Sequence, residues 1–146
     1  MKKYKIYTCG KMSGTTYTQQ MAWREKLERY LFDTGCENFT FVHPPMYFNY
    51  DEQLHQSERE ILDWEMAQLY DSDIVVVNLE GICDSVGSHM ELGALQAINR
   101  FCGKKSIFVV GLGNSENLHP WIKESCLRIE KNIEDLGYYI KEYLMV

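Results

Sequence analysis

The sequence lacks the features that would mark a membrane protein, a disulfide scaffold or a nucleic-acid binder. Its longest apolar runs, Ile74 to Val77 and Ile107 to Val110, fall far short of the roughly 20 residues needed to cross a bilayer. No membrane partner is therefore expected. Five cysteines (Cys9, Cys36, Cys83, Cys102 and Cys126) form an odd set without a CxxC pair, which excludes both a disulfide framework and a zinc knuckle. They read as reduced, mostly buried thiols. Basic charge is also short: 15 Lys and Arg against 21 Asp and Glu leave a net charge of -6. A nucleic-acid polymer, which needs a clustered basic face, is excluded as a partner, whereas a small nucleotide is not. Polar residues after Met1-Lys2-Lys3 leave no room for an apolar signal-peptide region, so a cytoplasmic protein is expected.

Several catalytic signatures are missing as well. There is no HExxH, and His43, His55, His89 and His119 show no ligand spacing, so no metal is expected. His89-x-Glu91 has the start of a zinc-deaminase signature but no downstream PCxxC. Neither Gly10-Lys11-Met12-Ser13-Gly14 nor Gly111-Leu112-Gly113-Asn114 has the spacing of a dinucleotide fingerprint or a P-loop, so no cofactor is expected. Ser85 and Ser88 lack the glycine spacing of a serine-hydrolase elbow.

What is present is an ordinary globular composition. With 45% hydrophobic and 13% aromatic residues, the 146-residue chain reads as one domain spanning residues 1–146. Apolar runs bounded by turn residues alternate with segments of helical period. Strands are expected at about 4–9, 39–42, 73–79, 106–110 and near Leu127, with helices at about 18–32, 57–70, 88–100 and 133–144. The Ser57-Glu58-Arg59-Glu60 start matches a capping box. The segment Met46 to His55, aromatic and without a period, reads as a loop or lid.

Strands alternating with helices in this order predict an α/β fold, the flavodoxin-like doubly wound five-stranded parallel sheet of order 2-1-3-4-5 with helices on both faces. In that order the first and third strands are neighbours, and a ligand crevice opens above their carboxyl ends. The loops there are Gly10 to Gly14 and Glu80 to Ser88. In Asp84-Ser85-Val86-Gly87-Ser88-His89-Met90-Glu91, Ser88 and Glu91 fit a capping box, with Glu91 in the first turn of the third helix. At the crevice, the same carboxylate fits a nucleophile held ionised by the helix dipole. Asp63 and Glu65, on the helix before the third strand, read by default as part of a solvated face.

Three ordered segments carry a family resemblance: Ile6-Tyr7-Thr8-Cys9-Gly10-Lys11-Met12-Ser13-Gly14, Ser72-Asp73-Ile74-Val75-Val76-Val77-Asn78-Leu79, and Gly87-Ser88-His89-Met90-Glu91-Leu92-Gly93-Ala94. Together they resemble the signatures of the nucleoside 2-deoxyribosyltransferase family, which includes related 2'-deoxynucleoside 5'-monophosphate N-glycosidases. The resemblance implies that Glu91 attacks the anomeric carbon and forms a covalent deoxyribosyl-enzyme, that Tyr7 orients it, and that Glu65 or Asp63 exchanges the proton of the base. The family's usual residue at the proton-exchanging position is aspartate.

Ser85 stands where free-nucleoside transferases carry an aspartate and monophosphate hydrolases a serine, with Asp84 one residue earlier. Gly87, Ser88 and the helix N-terminus would then donate to a phosphate. In the first loop Lys11 replaces the family's common proline, and Ser13 stands where monophosphate hydrolases can have arginine. Breaking a sugar–base bond builds positive charge at the anomeric carbon, so one carboxylate must face that charge while an acid protonates the leaving base. Trp64 and the aromatic residues of Met46 to Tyr50 are candidates for the wall of the base pocket. The resemblance further implies a homodimer or larger homo-oligomer with shared active sites, a neighbour supplying Asn117 and His119. The bland alternative is that His119-Pro120 only starts a helix.

Overall fold

The computed structural model describes residues 1–47, 54–103 and 105–146. Five strands, β1 (Tyr4–Cys9), β2 (Phe39–Val42), β3 (Ile74–Asn78), β4 (Phe108–Leu112) and β5 (Arg128–Glu130), form one parallel sheet of order β2-β1-β3-β4-β5. The helices are α1 (Tyr17–Asp33), α2 (Glu58–Tyr70), α3 (Val86–Phe101), α4 (Pro120–Glu124) and α5 (Ile133–Tyr139), the last running into a π turn at Ile140–Leu144. The expected flavodoxin-like topology is the observed one.

Strand alternation divides the core into two layers. Ile6, Ile74, Val76 and Val110 face Leu27 and Leu31 of α1 and Ile133 and Leu136 of α5. Tyr7, Cys9, Val75, Val77 and Val109 face Leu69 of α2 and Leu92 and Leu95 of α3. The run Ile74-Val75-Val76-Val77 is fully buried on both faces, which is why it has no polar alternation. Local signals fix the helix starts. Ser57 and Glu60 close the expected capping box on α2, and Thr16 and Gln19 close another on α1. Gly35, at φ +92°, follows α1 in the left-handed conformation.

Two expectations are corrected. β4 lies two residues later than the 106–110 run, because the side chain of Asn99 on α3 takes both backbone groups of Ile107 (2.8 and 2.9 Å) while Gly111 and Leu112 pair with Val77 and Asn78. Gly111 is not a strand end: a Cβ there would lie 3.1 Å from Ile129 Cγ1 and 3.2 Å from Cys126 Sγ. The thiols are also less buried than expected, since Cys9 and Cys36 are buried but Cys83 and Cys102 are exposed. Of the expected Met46–His55 loop, Met46 and Tyr47 belong to a short 3-10 turn (Pro44–Tyr47), and residues 48–53 lie outside the described residues. No helix among the described residues is long and apolar enough to cross a membrane.

Asp73 ties the amino ends of three strands together. Its Oδ2 accepts from the Lys5 backbone N–H at 2.9 Å, its own N–H donates to Lys5 O, and its carbonyl accepts from Phe108 N. The Lys105 ammonium bonds Oδ1, and the Lys2 ammonium lies 3.5 Å away. Burial alone would raise this carboxyl, but the Lys105 and Lys5 hydrogen bonds and the two ammonium charges outweigh it and hold the pKa below the usual value. A depressed carboxyl adds stability above its unfolded pKa and loses it as pH falls through the folded one. Asp73→Asn should therefore cost about 1 kcal/mol from neutral pH down to about pH 4, a cost that fades as the pH falls further through the lowered folded pKa, as read from urea midpoints.

Candidate active site

The β1–β3 adjacency brings the carboxyl end of β1 beside the amino end of α3. Tyr7 and Cys9, two residues apart on one strand face, point toward α3. A short 3-10 turn (Ile82–Asp84) delivers the chain to Ser85 in extended conformation (φ -111°, ψ 94°), and α3 starts at Val86. Ser85 caps it: its Oγ accepts from Ser88 N at 3.4 Å and donates to Ser88 Oγ at 2.8 Å. The expected Ser88–Glu91 capping box is therefore absent. Glu91 also lies past the first turn, which holds no acidic residue, so the helix terminus supports it less than a first-turn position would.

Instead Glu91 turns inward and is 6% exposed. Its Oε1 accepts from Cys9 Sγ at 3.5 Å. The Tyr7 hydroxyl lies close enough to couple with it, yet Tyr7 Oη and Glu91 Oε2 are buried without a well-formed hydrogen bond. Burial pushes the Glu91 pKa above the usual carboxylate value, against the lowering influence of Tyr7, Cys9 and Arg24. Burial, followed by the neighbouring Glu91 and Glu65 carboxyls, also raises Tyr7, which therefore stays a protonated donor.

The two candidates on α2 separate cleanly. Asp63 is exposed and pairs with Arg59 of its own helix at 2.8 Å. Glu65 is partly buried and couples to Glu91, Tyr7 and Arg24; burial first, then the Glu91 charge, raises its pKa to about 8. Trp64 carries the Tyr47 ring at a centroid distance of 4.7 Å. The other aromatic candidates, Phe48 and Tyr50, lie outside the described residues.

The first crevice loop is built from backbone. Met12 O accepts from Gln20 Nε2 (2.8 Å) and Thr15 Oγ1 (2.7 Å), leaving Ser13 and Gly14 exposed. Gly10 is needed for packing, since a Cβ there would lie 3.1 Å from the Trp23 ring and 3.3 Å from Asn78 Cβ. Lys11 lies against Gly81 and pairs at 3.9 Å with the exposed Asp84, so the two crevice loops meet. Gly87 is exposed.

Asn117 and His119 are exposed, and His119 caps α4, its Nδ1 accepting from Trp121 N at 3.1 Å. His119-Pro120 thus starts a helix within the chain. A cavity of about 780 Å³ between α3 and α4 is lined by Cys83, His89, Gln96, His119 and Trp121, and by neither Glu91 nor Glu65. Among the described residues no group of His, Cys, Asp and Glu could hold a metal ion.

Sequence reasoning missed Arg24 and the contact made by Cys9. Arg24 interrupts the apolar stripe Met21, Leu27 and Leu31 at helical spacing, and Cys9 shares the strand face of Tyr7; both signals are readable once α1 and β1 are placed.

A carboxyl with a raised pKa destabilises the fold as pH climbs from its unfolded value of 4.5 through about 8, because the ionised form is disfavoured when buried. Glu65→Gln removes that cost. The thermal midpoint of this variant should exceed the wild type by a margin that widens from pH 5 to pH 8 and then levels off. Equal midpoints throughout would mean that Glu65 ionises freely.

No family model and no curated protein matches the chain. Among solved structures, a 2-deoxyribosyltransferase from the psychrotolerant bacterium Bacillus psychrosaccharolyticus superposes with a TM-score of 0.67 at 18% identity, covering 92% of this chain and 91% of that one. A conserved protein from Enterococcus faecalis superposes with a TM-score of 0.70 at 18% identity, covering 97% and 99%. This chain shares their fold over nearly its full length.

Proposed function

We propose that the chain is an enzyme of the nucleoside 2-deoxyribosyltransferase type, which cleaves or exchanges the N-glycosidic bond of 2'-deoxyribonucleosides. The observation that carries the reading is a pair of coupled carboxyls at the carboxyl end of β1, Glu91 buried against Tyr7 and Cys9, and Glu65 keeping its proton to about pH 8. Two carboxyls with different protonation states are what glycosidic chemistry requires. The likeness to a 2-deoxyribosyltransferase in fold supports it.

In this mechanism a Glu91 carboxylate oxygen bonds to the anomeric carbon as the bond to the base breaks. The electron pair of that bond leaves with the base nitrogen, which takes the proton of Glu65. Tyr7 holds the Glu91 carboxylate during attack. In the second half a water or an incoming base attacks the anomeric carbon, Glu65 accepts its proton, and the Glu91 ester is released. Water gives hydrolysis and a base gives transfer.

The second reading is a 2'-deoxynucleoside 5'-monophosphate N-glycosidase. It is favoured by Lys11, a cation at the mouth of the crevice beside Asp84 and Ser85, where a 5'-phosphate would compete with Asp84 for the ammonium. In this reading Gly10, Met12, Ser13, Gly14 and Gly87 supply the adjoining backbone and hydroxyl groups, whereas Ser88 is buried and bonded to Ser85 and acts only through that cap. The exposed Asn117 and His119 are assigned to a neighbouring subunit's site in a homo-oligomer.

Chromatography of wild type and Glu91→Ala with 2'-deoxyinosine plus adenine, and separately with a 2'-deoxynucleoside 5'-monophosphate, tests the reading. Deoxyadenosine from the first mixture identifies a transferase, and free base from the second alone identifies the monophosphate hydrolase. Glu91→Ala should be inactive, and Glu65→Gln should lose about 100-fold or more in base release. Activity should fall at high pH as the carboxyl pair loses the proton that Glu65 holds to about 8, and at low pH as Glu91 becomes protonated. A folded wild type silent on both substrates would leave a non-catalytic nucleotide-binding module.

A further inference from the structure

We propose that Arg24 is a positioning residue for this site: its guanidinium, locked beneath the carboxyl end of β1, is the fixed positive charge against which the Glu91 carboxylate works. The proposal rests on the reading of Glu91 as nucleophile. Arg24 is 0% exposed although it sits on a surface helix. Its Nε donates to Thr8 Oγ1 at 2.9 Å, Nη1 donates to the Gln20 carbonyl, and the guanidinium lies 4.6 Å from the Trp23 ring centroid. Thr8 stands between Tyr7 and Cys9, the two residues that meet Glu91, but points to the opposite face of the sheet. A Cβ on Gly10 would lie 3.6 Å from Nη2, so the guanidinium reaches the end of the strand where the crevice begins.

Burying a guanidinium is costly unless negative charge accompanies it. The ionisable groups coupled to it are Cys9 on β1, Glu65 on α2, Glu91 on α3 and His43 after β2; Tyr7 on β1 couples in turn to Glu91 and Glu65, and Glu25 on α1 to His43. Cys9 and Tyr7 keep their protons, and His43 stays neutral, burial and the Arg24 charge lowering it to about 4. Thr8 Oγ1 bridges the guanidinium to His43 Nδ1 at 2.8 Å, and His43 Nε2 lies 3.3 Å from Glu28. In the crevice cluster the negative charge therefore belongs to Glu91 and Glu65, and both couple to Arg24.

This arrangement suits the chemistry. Before attack Glu91 is ionised and Glu65 is protonated. After attack Glu91 is a neutral ester, and Glu65, having given its proton to the base, carries the charge. One negative charge faces Arg24 throughout, having moved from one carboxyl to the other. On the far side of the sheet from Glu91, the guanidinium supports the anions without approaching the cationic sugar.

The test follows the Glu91 carboxyl-carbon chemical shift with pH in substrate-free protein, using Glu91→Gln to assign the signal. Arg24→Gln should raise the midpoint by about one pH unit, and Arg24→Lys should restore most of it. The acid limb of kcat/KM should move with the midpoint. Thr8→Val, which frees the guanidinium while keeping side-chain volume, should shift it in the same direction and serves if Arg24→Gln does not fold. A folded Arg24→Gln or Thr8→Val protein with an unmoved midpoint would overturn the proposal and leave Arg24 as packing. An inactive wild type would instead refute the functional reading, while the titration still decides the role of Arg24.

Discussion

The desolvated Glu91 carboxylate is the constraint around which this chain is arranged. A carboxyl at 6% exposure is tolerated only where neighbours repay part of its lost hydration. The stabilising neighbours come from two elements, Tyr7 and Cys9 from β1 and Arg24 from α1, while Glu65 from α2 adds a second carboxyl that Glu91 keeps protonated. Only the pairing of β1 with β3, which sets the first strand beside the helix that follows the third, lets one carboxyl meet all of them. The topology therefore does more than open a crevice. It selects which strand face looks at which helix.

The two ends of the sheet treat carboxyls in opposite ways. At the amino end Asp73 is bonded by the Lys5 amide and the Lys105 ammonium and is held below its usual pKa, a purely stabilising arrangement. At the carboxyl end Glu91 and Glu65 are raised, burial outweighing the Arg24 charge. The first arrangement strengthens the fold and the second weakens it. Groups kept in an unfavourable protonation environment by surrounding structure are the expected mark of a catalytic site.

Much of this was legible in the sequence, for reasons that differ between elements. The β-branched run at 74–77 and the glycine-punctuated β1 announced a parallel sheet, and strand order followed from the alternation with helices. The cap at Ser57 was legible because its two partners are three residues apart. The start of α3 was misread because Ser88 and Glu91 fit the capping-box pattern, whereas Ser85, which caps the helix, has a serine rather than an acid or amide three residues on and is delivered there by the preceding 3-10 turn. Glu65 and Asp63 could not be separated on paper: two residues apart on a helix they face different directions, and which one faces the core depends on the docking of α2. Arg24 was hidden by habit, since a charged residue on a stripe is usually assigned to solvent.

The displaced start of α3 changes the electrostatic account of the site. Had Ser88 capped the helix, the dipole and a reciprocal backbone bond would have been enough to hold Glu91 ionised, and the carboxylate would have stayed near the surface. With Ser85 as the cap, Glu91 falls in the second turn, where the influence of the terminus has faded, and it points into the core. An anion so placed needs support from outside its own helix. The buried guanidinium on α1 and the donors of β1 supply it, so the lone charge on the stripe of α1 and the position of the nucleophile candidate on α3 are two consequences of one constraint. The same shift leaves the first turn of α3, which follows the Lys11–Asp84 pair in the chain, without an acidic residue of its own. An anion brought to that end of the helix would meet the positive terminus with no carboxylate from α3 set against it.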